Sequence, residues 1–244
     1  LATGRADDLN ALVEALSATS QGTGDRETLL DRLTAGGPAA AAALVAQLPG
    51  PLDPAAASGP VEARGPILAG VAAMGRVAER PLVSALEDSD PGRRRAAVAL
   101  LTRLDAARWA KAIAPLVQDV DEGVAEEAIQ ALAKARGATG LLTVIIDLRR
   151  ALGAVRPGKA ARAARALALL GDADSVPILI QMLDRGEEAA AAASEALTAI
   201  TLQRLGPDSL RWIAWWREWR AAPRSSWLFQ ALVGVDRELR ARAA

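Results

Sequence analysis

The sequence predicts an all-α protein whose helical hairpins stack into a solenoid, and three observations predict it. Val71, Leu101, Leu132, Leu167 and Leu197 each fall near the end of an alanine-rich run, spaced by 30, 31, 35 and 30 residues. Four residues before each lies Ile67, Ala97, Ala128, Ala163 or Ala193, on the same face of a helix. The chain is 51% hydrophobic yet only 3% aromatic, so alanine, the strongest helix former, carries much of that share. A period of this length marks one helix pair per repeat, each pair unable to bury its apolar face without a neighbour.

The elements follow in order. Asp7 to Leu16 reads as a helix with Leu9, Leu12, Val13 and Leu16 on one face. Asp25 can cap a second helix through Leu29, Leu30 and Leu33, which stops at Gly36-Gly37. Pro38 suits a first helical position and leads Ala39 to Leu48. Residues 49–60 hold four prolines and two glycines, a breaker-rich loop that reads as a hinge or cleavage site. From Pro60 the pairs become regular. Glu79–Leu86 and Arg93–Leu104 flank a turn at Asp88–Gly92, and Ala107–Val117 and Val124–Ala135 flank one at Asp119–Gly123. Thr139–Leu152 and Lys159–Leu170 turn around Arg156–Gly158, and Ser175–Leu183 and Glu187–Ile200 turn at Asp184–Gly186. A helix beginning near Pro207 and a last one from Ser226 to Arg242 close the chain. About ten to twelve helices are expected, in one domain over 1–244: irregular helices over 1–59, repeats over 60–201 and capping helices over 202–244.

The string Leu86-Glu-Asp88-Ser-Asp90-Pro-Gly-Arg-Arg94-Arg-Ala-Ala97-Val-Ala-Leu-Leu101 and the junction Ala168-Leu-Leu-Gly171-Asp-Ala-Asp-Ser-Val-Pro177 carry a resemblance. They resemble the HEAT/armadillo class of α-solenoids, above all the short bacterial HEAT-like repeats also found in phycobilisome lyases. The likeness covers roughly 60–201. It implies a right-handed α-α superhelix, a HEAT-repeat solenoid, and a Trp-rich C-terminal helical cap of the kind that closes such arrays. It also implies a ladder of turn Asp and helix Arg. Asp88, Asp119 and Asp184 fit the Asp position, but only Arg94 fits the Arg, with Ala125 and Ala190 in its place elsewhere, so the ladder is expected to be incomplete.

Composition removes whole classes of chemistry. With no Cys, His or Tyr, the chain has no disulfide, no zinc site of His or Cys and no imidazole base. The iron site of HEAT-fold hydroxylases, which needs His, is excluded with them. Gly153-Ala-Val-Arg-Pro-Gly158-Lys159-Ala160 matches a phosphate loop until its last position, where Ala160 replaces the hydroxyl that would hold Mg²⁺. The preceding run is helical, so the match reads as a hairpin turn. Three Asp-x-Asp pairs, at 88/90, 119/121 and 172/174, lie at turns before helices, where Asp caps free N–H groups; paired carboxylates could also hold a cation. No catalytic, cofactor or metal site is expected. The chain opens on Leu1, as a processed or excised chain would, which leaves room for a targeting segment upstream and leaves the compartment open, with the cytoplasm favoured over export.

Two regions remain as binding candidates. Five of six Trp lie between 212 and 227, and Trp212, Trp215, Trp216 and Trp219 form one helical stripe flanked by Arg211, Arg217 and Arg220. The stripe suits an end cap, a docking patch with Trp215 and Trp216 as anchors, or a membrane-surface helix; Phe229 beside it fits the cap. The second helices also expose a groove carrying Arg95, Glu127, Gln130, Lys159, Arg162, Arg165 and Glu195 among alanines, suited to an extended peptide or a helix. Net charge is zero but blocked along the chain: −6 over 1–91, +7 over 92–165, −5 over 166–203 and +4 over 204–244. Such blocks could set a partner's register, or be no more than wet helix faces. The leading expectation is a non-catalytic protein-protein interaction scaffold or adaptor with protein partners, rather than a nucleic-acid or membrane binder. The competing reading is a nucleic-acid-binding HEAT-like protein using the basic 92–165 block.

Overall fold

A computed structural model describes residues 2–19, 24–56 and 59–243. The molecule is all-helical, with no strand among the described residues. The α-helices are α1 (Ala2–Ser17), α2 (Gly24–Ala35), α3 (Gly37–Ala46), α4 (Pro66–Met74), α5 (Glu79–Ala85), α6 (Pro91–Ile113) and α7 (Glu122–Lys134). Then come α8 (Leu142–Leu152), α9 (Pro157–Leu170), α10 (Val176–Met182), α11 (Glu187–Thr201), α12 (Ser209–Trp219) and α13 (Arg224–Ala243). The chain divides into two compact units, Leu1–Ala131 and Leu132–Ala244, with the boundary inside α7.

Local chemistry places the helix ends. Asp90 caps α6 by accepting from the Gly92 and Arg93 amides, both at 3.2 Å, and Pro91 fills the first helical position. Asp208 does the same for α12, accepting from Leu210 N at 2.9 Å and Arg211 N at 3.2 Å. Asp121 accepts from Val124 N at 2.9 Å at the start of α7. The two helices expected over 93–104 and 107–117 are the two arms of α6, parted at Asp105 (φ −168°, ψ 93°), whose carboxylate accepts from Arg108 N at 3.0 Å and starts the second arm. Pro115 cannot donate to an α-helical ladder, and a 3₁₀ turn over Ala114–Gln118 follows. Gly171 ends α9 at φ 71°, a left-handed position cheap only for glycine.

In the first unit Leu16, Leu33, Leu44, Ile67, Leu82 and Leu100 are fully buried, each worth about 1.5–3 kcal/mol in apolar transfer. Here α4 packs against both α1 and α3. Gly70 permits that approach, since a Cβ there would lie 2.8 Å from Leu16 Cδ2 and 3.0 Å from Leu44 Cδ2. In the second unit α9 packs on α8 and α11, α10 on α11 and α12, and α13 on α11. Ala160, Ala163, Ala164 and Ala166 of α9 are fully buried, as are Ala193 and Leu197 of α11, so the two helices meet through methyl groups.

Arginines tie the hairpins at their ends. Arg94 forks onto Asp119, Nε to Oδ2 at 2.8 Å and Nη2 to Oδ1 at 2.7 Å, and also donates to the Asp88 and Ser89 carbonyls. In the second unit the equivalent pair comes from a first helix: Arg149 of α8 binds Asp172, with Nε at 2.7 Å, and reaches Asp174 at 3.0 Å. Other arginines cap helix C-termini, whose last carbonyls lack helical partners. Arg93 binds the carbonyls of Ala46, the last residue of α3, and Leu48 just past it; Arg185 binds those of Leu152, the last residue of α8, and Ala154 just past it; Arg224 binds that of Ile200 in α11.

Two expectations change. The 49–60 loop is not a loose hinge over its described residues: Asp53 N donates to Arg64 O at 2.8 Å, Arg64 Nε to Gly59 O at 3.0 Å, and 3₁₀ turns form at Pro54–Ala56 and Val61–Ala63. Phe229 does not join the tryptophans but is 69% exposed.

Candidate functional site

In the first unit, Glu127 on α7 takes Arg95 Nε of α6 at 3.4 Å, and the same oxygen lies 3.7 Å from Arg64 Nη1. Arg64 lies between the 3₁₀ turn Val61–Ala63 and α4, outside the helices whose register the repeat sets, so the periodicity gave no signal for it. Gln130 is exposed and bonds back to Glu126 at 2.9 Å.

In the second unit, Arg162 and Arg165 of α9 and Glu195 of α11 line one cleft of about 340 Å³. Its floor is Ala161, Ala168, Ala192, Ala196 and Ala199, with Leu169 at its edge. Alanines at 161 and 168, and at 192 and 199, recur after seven residues, two turns of helix, so both walls keep the same face toward the cleft. Arg165 and Glu195 are exposed and Arg162 is half-buried, its Nε buried without a hydrogen-bond partner among the described residues. Lys159, half-buried near the start of α9, is not part of the lining.

Trp212, Trp215 and Trp227 are buried. Trp215 stands at their centre, edge-on to Trp212 (5.8 Å, 82°) and to Trp227 (5.4 Å, 76°), and Trp216 meets Trp227 at 5.7 Å and 73°. These are the favoured edge-to-face geometries. Trp212 Nε1 donates to Gly206 O at 2.7 Å and Trp227 Nε1 to Trp219 O at 2.9 Å, while Trp215 Nε1 finds no partner among the described residues. Trp216 and Trp219 are half-buried.

The motifs with a catalytic look have structural neighbours. Gly153–Lys159 joins α8 to α9, with helix on both sides. Asp88 accepts from the Asp90 amide at 2.9 Å and Asp119 from the Asp121 amide at 2.8 Å, each turn folded on its own carboxylate. No group of three or more acidic side chains is placed to hold a metal ion among the described residues, and none of their helices is long and apolar enough to cross a membrane.

Half of the basic block is paired with carboxylates. Of its 14 cationic residues, Arg93, Arg94, Arg95, Arg103, Arg108, Arg149 and Arg150 pair with carboxylates. Trp109, its sole aromatic, lies under the Arg108 guanidinium, 4.9 Å from the ring centre.

No protein-family model matches the chain, and no curated protein matches it. Among solved structures, the chain is similar to the crystal structure of an engineered protein at 21% identity and a TM-score of 0.40, over 79% of this chain and 96% of that one.

Proposed function

We propose that this chain is a non-catalytic protein-protein interaction scaffold or adaptor, a subunit of a larger assembly. In this reading its hairpins stack as a right-handed HEAT-type solenoid and the Trp cluster caps the C-terminal end. The observation that carries the reading is the α9–α11 cleft, where two arginines and a glutamate stand over a floor of alanine. Methyl floors keep the surface shallow enough for a partner helix or extended segment, and the charges set its direction: acidic side chains toward α9, a basic one toward α11. The polar groups of the cleft are two guanidiniums and one carboxylate, a set suited to recognising an oppositely charged segment.

Burial of Trp212, Trp215 and Trp227 favours a cap over a docking patch, because a hot-spot anchor must be reachable by its partner. The pairing of seven of the 14 cations in the 92–165 block with carboxylates weighs against phosphate tracking, which needs guanidinium groups free to displace counterions.

The test is charge reversal. A partner captured from the source cells should bind Arg162→Glu/Arg165→Glu at least about tenfold more weakly, with the circular dichroism unchanged. Equal affinity would remove the cleft from the interface.

A further inference from the structure

We propose that a second cleft, in the first unit between the 49–64 loop and the first arm of α6, binds a small amphiphilic carboxylate. Its apolar body would lie on Leu52, Leu68, Ala96 and Ala99, and its head group on Arg64 and Arg95.

The cavity measures about 390 Å³, at the lower end of small-molecule sites. α6 contributes Gly92, Ala96 and Ala99 to its wall, and the loop contributes Pro49, Leu52 and Pro54. Small residues on one side and prolines on the other leave space that neither can fill. The loop cannot simply collapse into it, being held by Asp53 N to Arg64 O, by Arg64 Nε to Gly59 O, and by Arg93 Nε to Leu48 O at 3.2 Å. Leu52, which lines the cavity, is 57% exposed, an apolar side chain without a full apolar partner.

The polar end favours an anion. One carboxylate, Glu127, serves two guanidiniums at 3.4 and 3.7 Å, longer than the ~2.7–2.9 Å of a strong charge-assisted bond. Arg95 Nη1 and Nη2 and Arg64 Nη2 hydrogen-bond no protein atom among the described residues. The lining contains one carboxylate of its own, Asp53, and it accepts from the Ala55 amide at 2.9 Å. A carboxylate entering beside the arginines would take up these unbonded guanidinium donors while its hydrocarbon displaces water from Ala96 and Ala99.

The experiment titrates the full chain with octanoate and with 1-octanol, following the methyl resonances of Leu52, Ala96 and Ala99. Octanoate should shift them saturably and bind at least about tenfold more tightly than octanol, the value of charge-assisted bonds to a carboxylate. In Arg64→Gln/Arg95→Gln that preference should vanish. Ala99→Leu, which fills the cavity, should abolish binding of both; Leu52→Ser, at an exposed position that the fold does not depend on, should weaken both and serves if Ala99→Leu fails to fold. Equal binding of octanoate and octanol by the wild type would overturn the proposal. So would octanoate shifts scattered over other basic residues and unchanged in the double variant.

Discussion

At the scale of single residues, burial decides which ion pairs matter. Arg94 and Asp119 are 11% and 6% exposed, so removing the guanidinium strands a buried carboxylate. Arg94→Gln should cost about 2–4 kcal/mol in chemical denaturation. Arg150 and Asp147 are 76% and 70% exposed at i,i+3, and Arg150→Gln should change stability by less than about 0.5 kcal/mol. Two carboxylates contribute to acid sensitivity. The Asp90 amide, with help from Arg93, holds Asp88 below its ordinary value; a backbone hydrogen bond at Glu62, then Arg103, does so for Glu62. A depressed folded value means stability that is complete above the ordinary carboxylate range and lost as pH falls through the lower, folded one. Asp88→Asn and Glu62→Gln should therefore flatten the acid limb of a stability-against-pH curve and leave the neutral region nearly level.

At the scale of elements, the tryptophan cluster gives the sharpest contrast. Trp215→Ala should destabilise by about 3–5 kcal/mol, as loss of a buried large aromatic does. Trp212→Phe should cost about 1–2 kcal/mol more than Trp215→Phe, because only the Trp212 indole N–H has a carbonyl to lose. Thermal melts of the two Phe variants measure that difference. Most elements were legible in the sequence because their punctuation is local: Asp90-Pro91, Asp121 and Gly171 carry the start and stop signals that the helices obey. The Asp–Arg rungs were legible only at Arg94. Arg149 was missed because it stands on a first helix, whereas the expected ladder draws its arginine from the helix after the turn. The arginine caps at Arg93, Arg185 and Arg224 were missed because a carbonyl acceptor leaves no trace in side-chain sequence. Phe229 was misjudged because helical spacing puts an aromatic on a face without saying whether a neighbour covers it.

At the scale of the whole molecule, zero net charge and the pairing of seven of the 14 cations of 92–165 with carboxylates argue against a phosphate-tracking role. Duplex DNA should show no measurable binding at ~50 mM salt, where a phosphate-tracking protein would bind most tightly; a steep salt-dependent affinity would restore the nucleic-acid reading. Of the candidate site, the sequence showed Arg162, Arg165 and Glu195 through the register of α9 and α11. It could not show Arg64, whose position depends on the hydrogen bonds of an irregular loop. The most direct test of the central claim is site-specific photo-crosslinking in the source cells. A photoreactive residue at Ala192 or Ala199 should capture a discrete protein partner, while one at exposed Ala191, outside the cleft lining, should not. Capture should disappear when Arg162→Glu/Arg165→Glu is added. No adduct in the cleft, or equal adducts at Ala191, would contradict a binding role for α9 and α11.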